Sequence, residues 1–309
     1  MELRILGSGT SHGVPVIGCN CSVCRSKNKK DSRLRCSALI TAGNKNYLID
    51  VGPDFRQQAL KAGISSLEAV FLTHSHADHI HGIDDLRIFS HKNSRAMNEN
   101  LKIKEKFPET KGQGLPIYTS SRTIEHVMSS FQYIFVDHDK GGGVPKLNFI
   151  PADDFSTDNP INLEEISAVP VPLQHGNRHT FGWVFSTVNN DGKTHSLAYL
   201  TDCSFICDKS LKTVKTFNED GVLDVLVIDA LREKPHSSHN SFRQALEYAD
   251  IIQAKHTYFT HITHDFKHRE IQKYINRELK TKGKYENLKR IIKNGGSVSP
   301  AFDMLKITV

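Results

Sequence analysis

"EAVFLTHSHADHIHG", residues 68–82, joins a short apolar run to a cluster of histidines. The apolar run predicts a strand that delivers the chain directly into His74, His76, Asp78 and His79. On an extended segment alternate side chains face the same way, so His74 and His76 can reach one ion together. The turn that follows brings Asp78 and His79 around to a second ion. This H-x-H-x-D-H spacing predicts a transition-metal site and disfavours a surface turn that is merely rich in histidine.

Three later strand ends offer further ligands for such a site. Apolar runs end at or next to His175, Asp202 and His261, in "ISAVPVPLQH", "LAYLTDCS" and "HTYFTHITH". A carboxylate can bridge two metals, so Asp202 is the natural common ligand. Imidazole and carboxylate ligands favour zinc, manganese or iron(II) over calcium or magnesium. Two such ions roughly 3.5–4 Å apart lower the pKa of a water molecule and clamp an in-line displacement, which is hydrolytic chemistry.

Strands alternate with helices along the chain, which predicts an α/β layered fold with the polar residues at strand ends. "PDFRQQALKAG" has a helical spacing that stops at Gly63, "SFRQALEYA" predicts a second helix, and residues 267–293 predict one mixed-charge helix. We find no long repeat and no low-complexity linker, so we expect a single domain over residues 1–309. Residues 92–114 look like an insertion at the edge of the pocket.

Composition and hydropathy limit the expected location and partners of the protein. The 309 residues include no basic-then-apolar leader and no apolar run of the roughly 18 residues that a membrane helix needs. We therefore expect a cytoplasmic protein with reduced thiols and no membrane partner. The net charge of +6 is mild and is explained by solvated surfaces; a surface that steers phosphates or nucleic acid is the alternative. A homodimer is compatible with this composition.

"GCNCSVC", residues 18–24, holds three cysteines within six residues: Cys19, Cys21 and Cys24. In a reducing compartment such a cluster favours metal over disulfides. A closed, tetrahedral zinc site needs a fourth ligand, and the spacing of the three cysteines does not identify it. Buried thiols or a redox cluster are the alternatives.

The chain resembles the metallo-β-lactamase superfamily, and within it the phosphoribosyl cyclic phosphate phosphodiesterase (PhnP-like) family. The resemblance is carried by "GSGTSHGVPVIGCNCSVC", "LTHSHADHIHGIDDLR", "LQHGNRHTFGW", "LTD" and "THITHDF". It implies an αβ/βα four-layer sandwich with two divalent ions, manganese or zinc, at one edge. The ligands that it implies are His74, His76 and His175 for one ion, Asp78, His79 and His261 for the other, and Asp202 between them. It also implies a structural zinc on Cys19, Cys21, Cys24 and His264.

Cleavage of a phosphoester needs a proton for the leaving oxygen, and histidine suits that near neutral pH. "ALREKPHSSHNSF" offers His239 and His236, and the family pattern favours His239 as the catalytic acid, with Asp78 as the second catalytic residue. We therefore predict a phosphodiesterase acting on a small-molecule phosphodiester, such as a phosphoribosyl 1,2-cyclic phosphate. The rivals are a ribonuclease of the tRNA-processing type, a thioester or lactone hydrolase, and a metal-binding module without catalysis.

Overall fold

The protein is described here by a computed structural model that covers residues 1–90, 114–135, 143–189, 192–216 and 223–309. The proposed insertion at 92–114 lies outside these residues except for Gly114. Within the described ranges, no helix combines the length and the apolar character that crossing a bilayer requires.

The described residues form fourteen strands and, apart from two short 3₁₀ turns, nine helices. The strands are β1 (Glu2–Gly7), β2 (Ser37–Ala42), β3 (Lys45–Ile49), β4 (Ala69–Phe71), β5 (Leu115–Thr119), β6 (Leu147–Pro151), β7 (Ile161–Asn162), β8 (Ser167–His175), β9 (Arg178–Val188), β10 (Thr194–Leu200), β11 (Val225–Asp229), β12 (His256–Thr260), β13 (Ser297–Pro300) and β14 (Lys306–Thr308). The helices are α1 (Phe55–Ala62), α2 (Ala77–Ile80), α3 (Arg87–Ser90), α4 (Ser121–Ser130), α5 (Gln132–Phe135), α6 (Asp208–Thr216), α7 (Phe242–Ile252), α8 (His268–Glu278) and α9 (Glu286–Lys293).

The strands build two seven-stranded mixed sheets, in the orders β14-β1-β2-β3-β4-β5-β6 and β13-β12-β11-β10-β9-β8-β7. In the first sheet β14 to β3 pair antiparallel and β3 to β6 pair parallel. The second sheet mirrors this arrangement, since β7 to β10 are antiparallel and β10 to β13 are parallel. Each sheet therefore combines hairpins with crossover connections that lay helices on its outer face.

Three apolar cores separate four layers. Between the sheets Phe71 packs edge-on against Trp183 with ring centroids 5.0 Å apart, and Trp183 is fully buried. On the outer faces Phe55 of α1 belongs to the core of the first sheet, and Phe242 of α7 belongs to that of the second. This confirms the αβ/βα four-layer sandwich that the family resemblance implies.

Local sequence signals set the helix ends. Ser241 and Gln244 form a reciprocal capping box at the start of α7, and Gly63 ends α1 with a φ of 71°. The prediction of one helix over 267–293 is wrong, because the segment forms α8 and α9 instead. Gly283 and Tyr285 take φ values of 74° and 53° between them, and a left-handed backbone cannot continue a right-handed helix.

Candidate metal centre

The loop after β4 places two histidines side by side. His74 and His76 lie on an extended segment, and His74 Nε2 is 2.8 Å from His76 Nδ1. His175, the last residue of β8, completes a group whose potential ligand atoms all lie within 4.8 Å of one another. His175 Nδ1 donates to the carbonyl of Ser238 at 2.6 Å, which leaves Nε2 free to bind an ion. These three histidines could hold one ion.

The short helix α2 turns the next two side chains toward a second group. His79 Nε2 lies 3.2 Å from Asp78 Oδ2, and His261, directly after β12, places its Nε2 3.8 Å from the same oxygen. The potential ligand atoms of Asp78, His79 and His261 also lie within 4.8 Å of one another. This second group therefore matches the ligand set of another ion.

Asp202 stands between the two groups. One carboxylate oxygen, Oδ1, is 3.9 Å from His74 Nε2 and 3.3 Å from His261 Nε2, and the other, Oδ2, is 3.2 Å from His79 Nε2. The residue is only 2% exposed, so its charge must be balanced locally. Its position suits a carboxylate that bridges two cations.

The crowded charges perturb one another strongly. Burial opposes protonation of His79, but the carboxylates of Asp202, Asp78 and Asp50 outweigh it and hold the pKa of His79 well above its usual range. Burial and the neighbouring His79 hold the pKa of His74 well below its usual range. Burial would raise the pKa of Asp202, yet the imidazoles of His261 and His79 hold it well below the ordinary value. These directions favour the ionised form of Asp202 and a protonated His79.

Unpaired buried nitrogens test whether these residues fit metal ions. His79 Nε2 and both ring nitrogens of His261 are buried without a hydrogen-bond partner among the described residues. A buried polar atom left unpaired costs about 1–3 kcal/mol. His79 Nε2 and His261 Nε2 both face the carboxylates of Asp78 and Asp202, so a divalent ion there would satisfy these two nitrogens, and the donor set fits.

Asp50 supports the centre from behind. Its Oδ2 accepts from His79 Nδ1 at 2.7 Å, and its Oδ1 accepts from the backbone N–H of Thr73 at 2.8 Å. This contact fixes the ring of His79 with Nε2 toward the cluster. His81 directly follows α2 in sequence and packs against Phe131, with ring centroids 5.7 Å apart.

A histidine–aspartate pair borders the centre. His239 Nδ1 donates to Asp229 Oδ2 at 2.8 Å, and one nitrogen of His239 lies within 4.8 Å of the ligand atoms of His175 and Asp202. His236 is exposed, and its Nδ1 contacts Ser238. No sequence motif marks Asp229 as functional, although its place at the end of β11 parallels that of Asp202 shortly after β10.

The cysteine cluster meets a histidine from the far end of the chain. Cys19, Cys21 and Cys24 place their sulfurs 3.4, 3.5 and 3.4 Å from His264 Nδ1. Zinc–sulfur and zinc–nitrogen bonds of about 2.3 and 2.0–2.1 Å give a tetrahedral edge of about 3.5 Å. The backbone N–H of Cys24 lowers the pKa of the Cys21 thiol to about 6, whereas burial raises that of Cys24 to about 11. The four residues could therefore hold a tetrahedral ion.

A protein-family model described as "Beta-lactamase superfamily domain" matches residues 45–262, which include both groups of potential ligands and Asp202. The chain belongs to the metallo-β-lactamase superfamily. The chain is 35% identical in sequence to a new diphosphatase from the PhnP family whose crystal structure is known. The match covers 100% of this chain and 97% of that one, and the two structures superpose with a TM-score of 0.72. Zn²⁺-bound PqqB from Methylobacterium extorquens is 17% identical with full coverage of both chains and a TM-score of 0.69, which shows the shared fold.

Among curated proteins, an octanoyltransferase of Porphyromonas gingivalis is 33% identical over 267 residues, 85% of this chain. The chain spans only 46% of that relative's length, so the transferase name describes a protein more than twice the matched length.

Residues 45–262 therefore form a domain of the metal-dependent hydrolase type, whose fold implies bound divalent ions. The structure brings all eleven predicted ligands into two sites, and their assignment as ligands stays a prediction. Beside the two ligand groups lies a cleft of about 520 Å³ whose lining includes His76, His175 and Arg178. Its volume is within the range of small-molecule pockets.

Proposed function

We propose that the protein is a dinuclear phosphodiesterase that hydrolyses a small phosphodiester, with a cyclic phosphate such as a phosphoribosyl 1,2-cyclic phosphate as the substrate to test first. One observation carries the proposal: two three-residue ligand groups share Asp202, and the pair His239–Asp229 stands beside them. The full-length similarity to a PhnP-family diphosphatase supports the same reaction class.

Two divalent ions, manganese or zinc, would supply charge stabilisation and an activated water for attack on phosphorus. His74, His76 and His175 would hold one, and Asp78, His79 and His261 would hold the other. Asp202 would be shared, because its two oxygens face both groups.

The proton for the leaving oxygen is assigned to His239. Because Nδ1–H is held by Asp229, the other ring nitrogen is the one free to give a proton toward His175 and Asp202. Asp229 is fully buried and also accepts from the backbone N–H of Cys203 at 2.9 Å, so its carboxylate cannot swing away from the ring. The imidazole is thereby oriented before substrate binds, which is what general acid catalysis requires.

The cysteine site is assigned a structural zinc. Three thiolates and one imidazole close a tetrahedron and leave no position for a substrate. The ion would tie residues 19–24 to His264, three residues after His261. It would thus anchor the N-terminal loop beside the strand end that carries a catalytic ligand.

Metal analysis followed by a substrate screen tests the proposal. We expect about three transition ions per chain in protein purified without chelator, and turnover of cyclic or small linear phosphodiesters. One ion or fewer would refute the dinuclear model. Turnover confined to polymeric RNA, falling steeply with salt, would identify the ribonuclease instead. Turnover confined to thioesters or lactones would identify the ester hydrolase, and no turnover with three bound ions would favour a non-catalytic module.

A further inference from the structure

Arg178, the first residue of β9, stands at the rim of the candidate metal centre. Its side chain is exposed, and its Nη1 lies 3.1 Å from His76 Nε2. Within the described parts of the chain, no carboxylate pairs with this guanidinium. An arginine beside a metal ligand, without an acidic partner, is a candidate for binding an anion from solution.

The contact with His76 holds only while the site is free of metal. His76 Nδ1 is the nitrogen that converges with His74 Nε2, so an ion would take the lone pair of Nδ1. A neutral imidazole that gives this lone pair to an ion carries its proton on Nε2. His76 Nε2–H and the Arg178 N–H would then be two donors facing each other. The ion therefore leaves both donors in need of an acceptor at the same place.

The surroundings favour a negatively charged acceptor. Arg178 lines the cleft of about 520 Å³. It also lines a narrower cleft that reaches His74, and a second arginine, Arg122, lines that cleft too. Arg122 is likewise exposed, without a carboxylate partner among the residues that the structure describes. Arg178 contacts Nε2 of His76, whereas Nδ1 of the same ring is the nitrogen that would bind the ion. The width of the imidazole ring therefore separates the guanidinium from the ion. Arg178 can reach a group that neighbours the reacting phosphate more readily than that phosphate itself.

We propose that Arg178 is a specificity-determining residue that, together with Nε2–H of His76, binds a second, non-reacting oxyanion of the substrate, most simply a phosphate. The proposal rests on the proposed function for the identity of the reaction. It adds that the preferred substrate carries an anionic group next to the ester that is cleaved. The fork of guanidinium donors suits such an oxyanion.

Calorimetric titration of the metal-loaded protein tests Arg178 without measuring activity. The probes are inorganic phosphate, which has one anionic group, and pyrophosphate, which has a second beside the first. We expect Arg178→Ala to weaken pyrophosphate binding about tenfold, as expected for a lost hydrogen bond between charged groups, and to change phosphate binding less than twofold. The matched control is Arg56→Ala, which removes an exposed arginine from α1 and should leave both affinities unchanged. Metal content is measured before and after each titration, because pyrophosphate can extract ions.

Equal losses for the two probes, or unchanged pyrophosphate binding, would overturn the proposal. Phosphonoacetate, which carries a carboxylate in place of the second phosphate, distinguishes the source of the oxyanion. A loss confined to pyrophosphate assigns a phosphate, and a similar loss for phosphonoacetate assigns oxyanions in general. Failure of the proposed function would be seen separately, as absence of phosphodiester hydrolysis by the wild-type protein, and the titrations would still decide the role of Arg178.

Discussion

Replacing His239 by alanine separates two roles that its position allows. One nitrogen lies within reach of the ligand atoms of His175 and Asp202, so the ring could act as an acid or as a ligand. The other, Nδ1, is committed to Asp229 at 2.8 Å. Since the two ligand groups and Asp202 already supply seven ligands, we expect His239→Ala to retain its full metal content.

The structure sets the expected loss of turnover. A positioned acid contributes about 10²–10⁴-fold, or about 2.7–5.4 kcal/mol of activation free energy. His239 is 8% exposed, stacks on His261 with centroids 4.5 Å apart, and is held by Asp229. A water molecule could not easily take the place of so confined a ring. We therefore expect a loss in the upper half of the range, about 10³–10⁴-fold.

The assay compares two leaving groups on the same phosphodiester. An alkyl ester needs protonation and should show the full loss, whereas a 4-nitrophenyl ester needs little and should lose less than about tenfold. Asp229→Asn should fall between wild type and His239→Ala on the alkyl ester, because the ring stays but its orientation weakens. Thermal unfolding controls for damage to the fold, since Asp229 is fully buried.

Two results would refute this assignment. Loss of one ion from His239→Ala would make the residue a ligand, and one of the seven proposed ligands would then be wrong. Normal turnover on the alkyl ester would move the acid role to His236 or to a water molecule.

Four further changes test the rest of the site. Mild chelation should abolish activity while one zinc remains, and Cys21→Ser should lose that zinc and lower the unfolding temperature; unchanged zinc content and stability would rule out a structural zinc. Asp50→Asn should weaken metal binding about 10–100-fold in titrations, because the carboxylate orients His79 from 2.7 Å, and an unchanged affinity would show that this contact is dispensable. Gly52→Ala would place a Cβ 2.0 Å from the carbonyl oxygen of Asp78, so we expect a lower unfolding temperature and weaker metal binding. Wild-type values for both would contradict this close approach of Gly52 to Asp78.

Much of the fold was predictable because its signals are local. The apolar runs before His175 and His261 end where strands β8 and β12 end, and Gly63 ends α1 as its lack of a Cβ allows. Polar residues that directly follow buried strands gather at the edge of the sheet. The candidate ligands of the dinuclear site could therefore be proposed from their positions at strand ends. The break at Gly283 was missed because the charge pattern of 267–293 continues through it.

Contacts between distant segments were harder to predict. Neither Asp229 with His239 nor Arg178 with His76 has a sequence pattern that marks the pair, since each contact depends on how one loop packs against another element. The partner of the cysteines, His264, followed from the family resemblance and not from spacing, because 240 residues separate it from Cys24. Sequence periodicity indicates which face of a helix or strand a residue occupies. Predicting these contacts would also require knowing how the elements are arranged relative to one another.

Backbone strain links the fold to the metal centre. Asp50 directly follows β3, His261 directly follows β12, and Asp202 is the second residue after β10. Their φ values are 57°, 60° and 52°, respectively. A left-handed conformation costs a residue with a Cβ roughly 1–2 kcal/mol. Asp50 offsets this cost within the protein, through its bonds to Thr73 and His79. His261 makes no side-chain hydrogen bond within the described residues, and its Nε2 faces the nearby carboxylates of Asp202, at 3.3 Å, and of Asp78, at 3.8 Å. An ion bound at His261 and Asp202 would offset part of the cost of these conformations, and metal binding would then be coupled to the stability of this sheet edge.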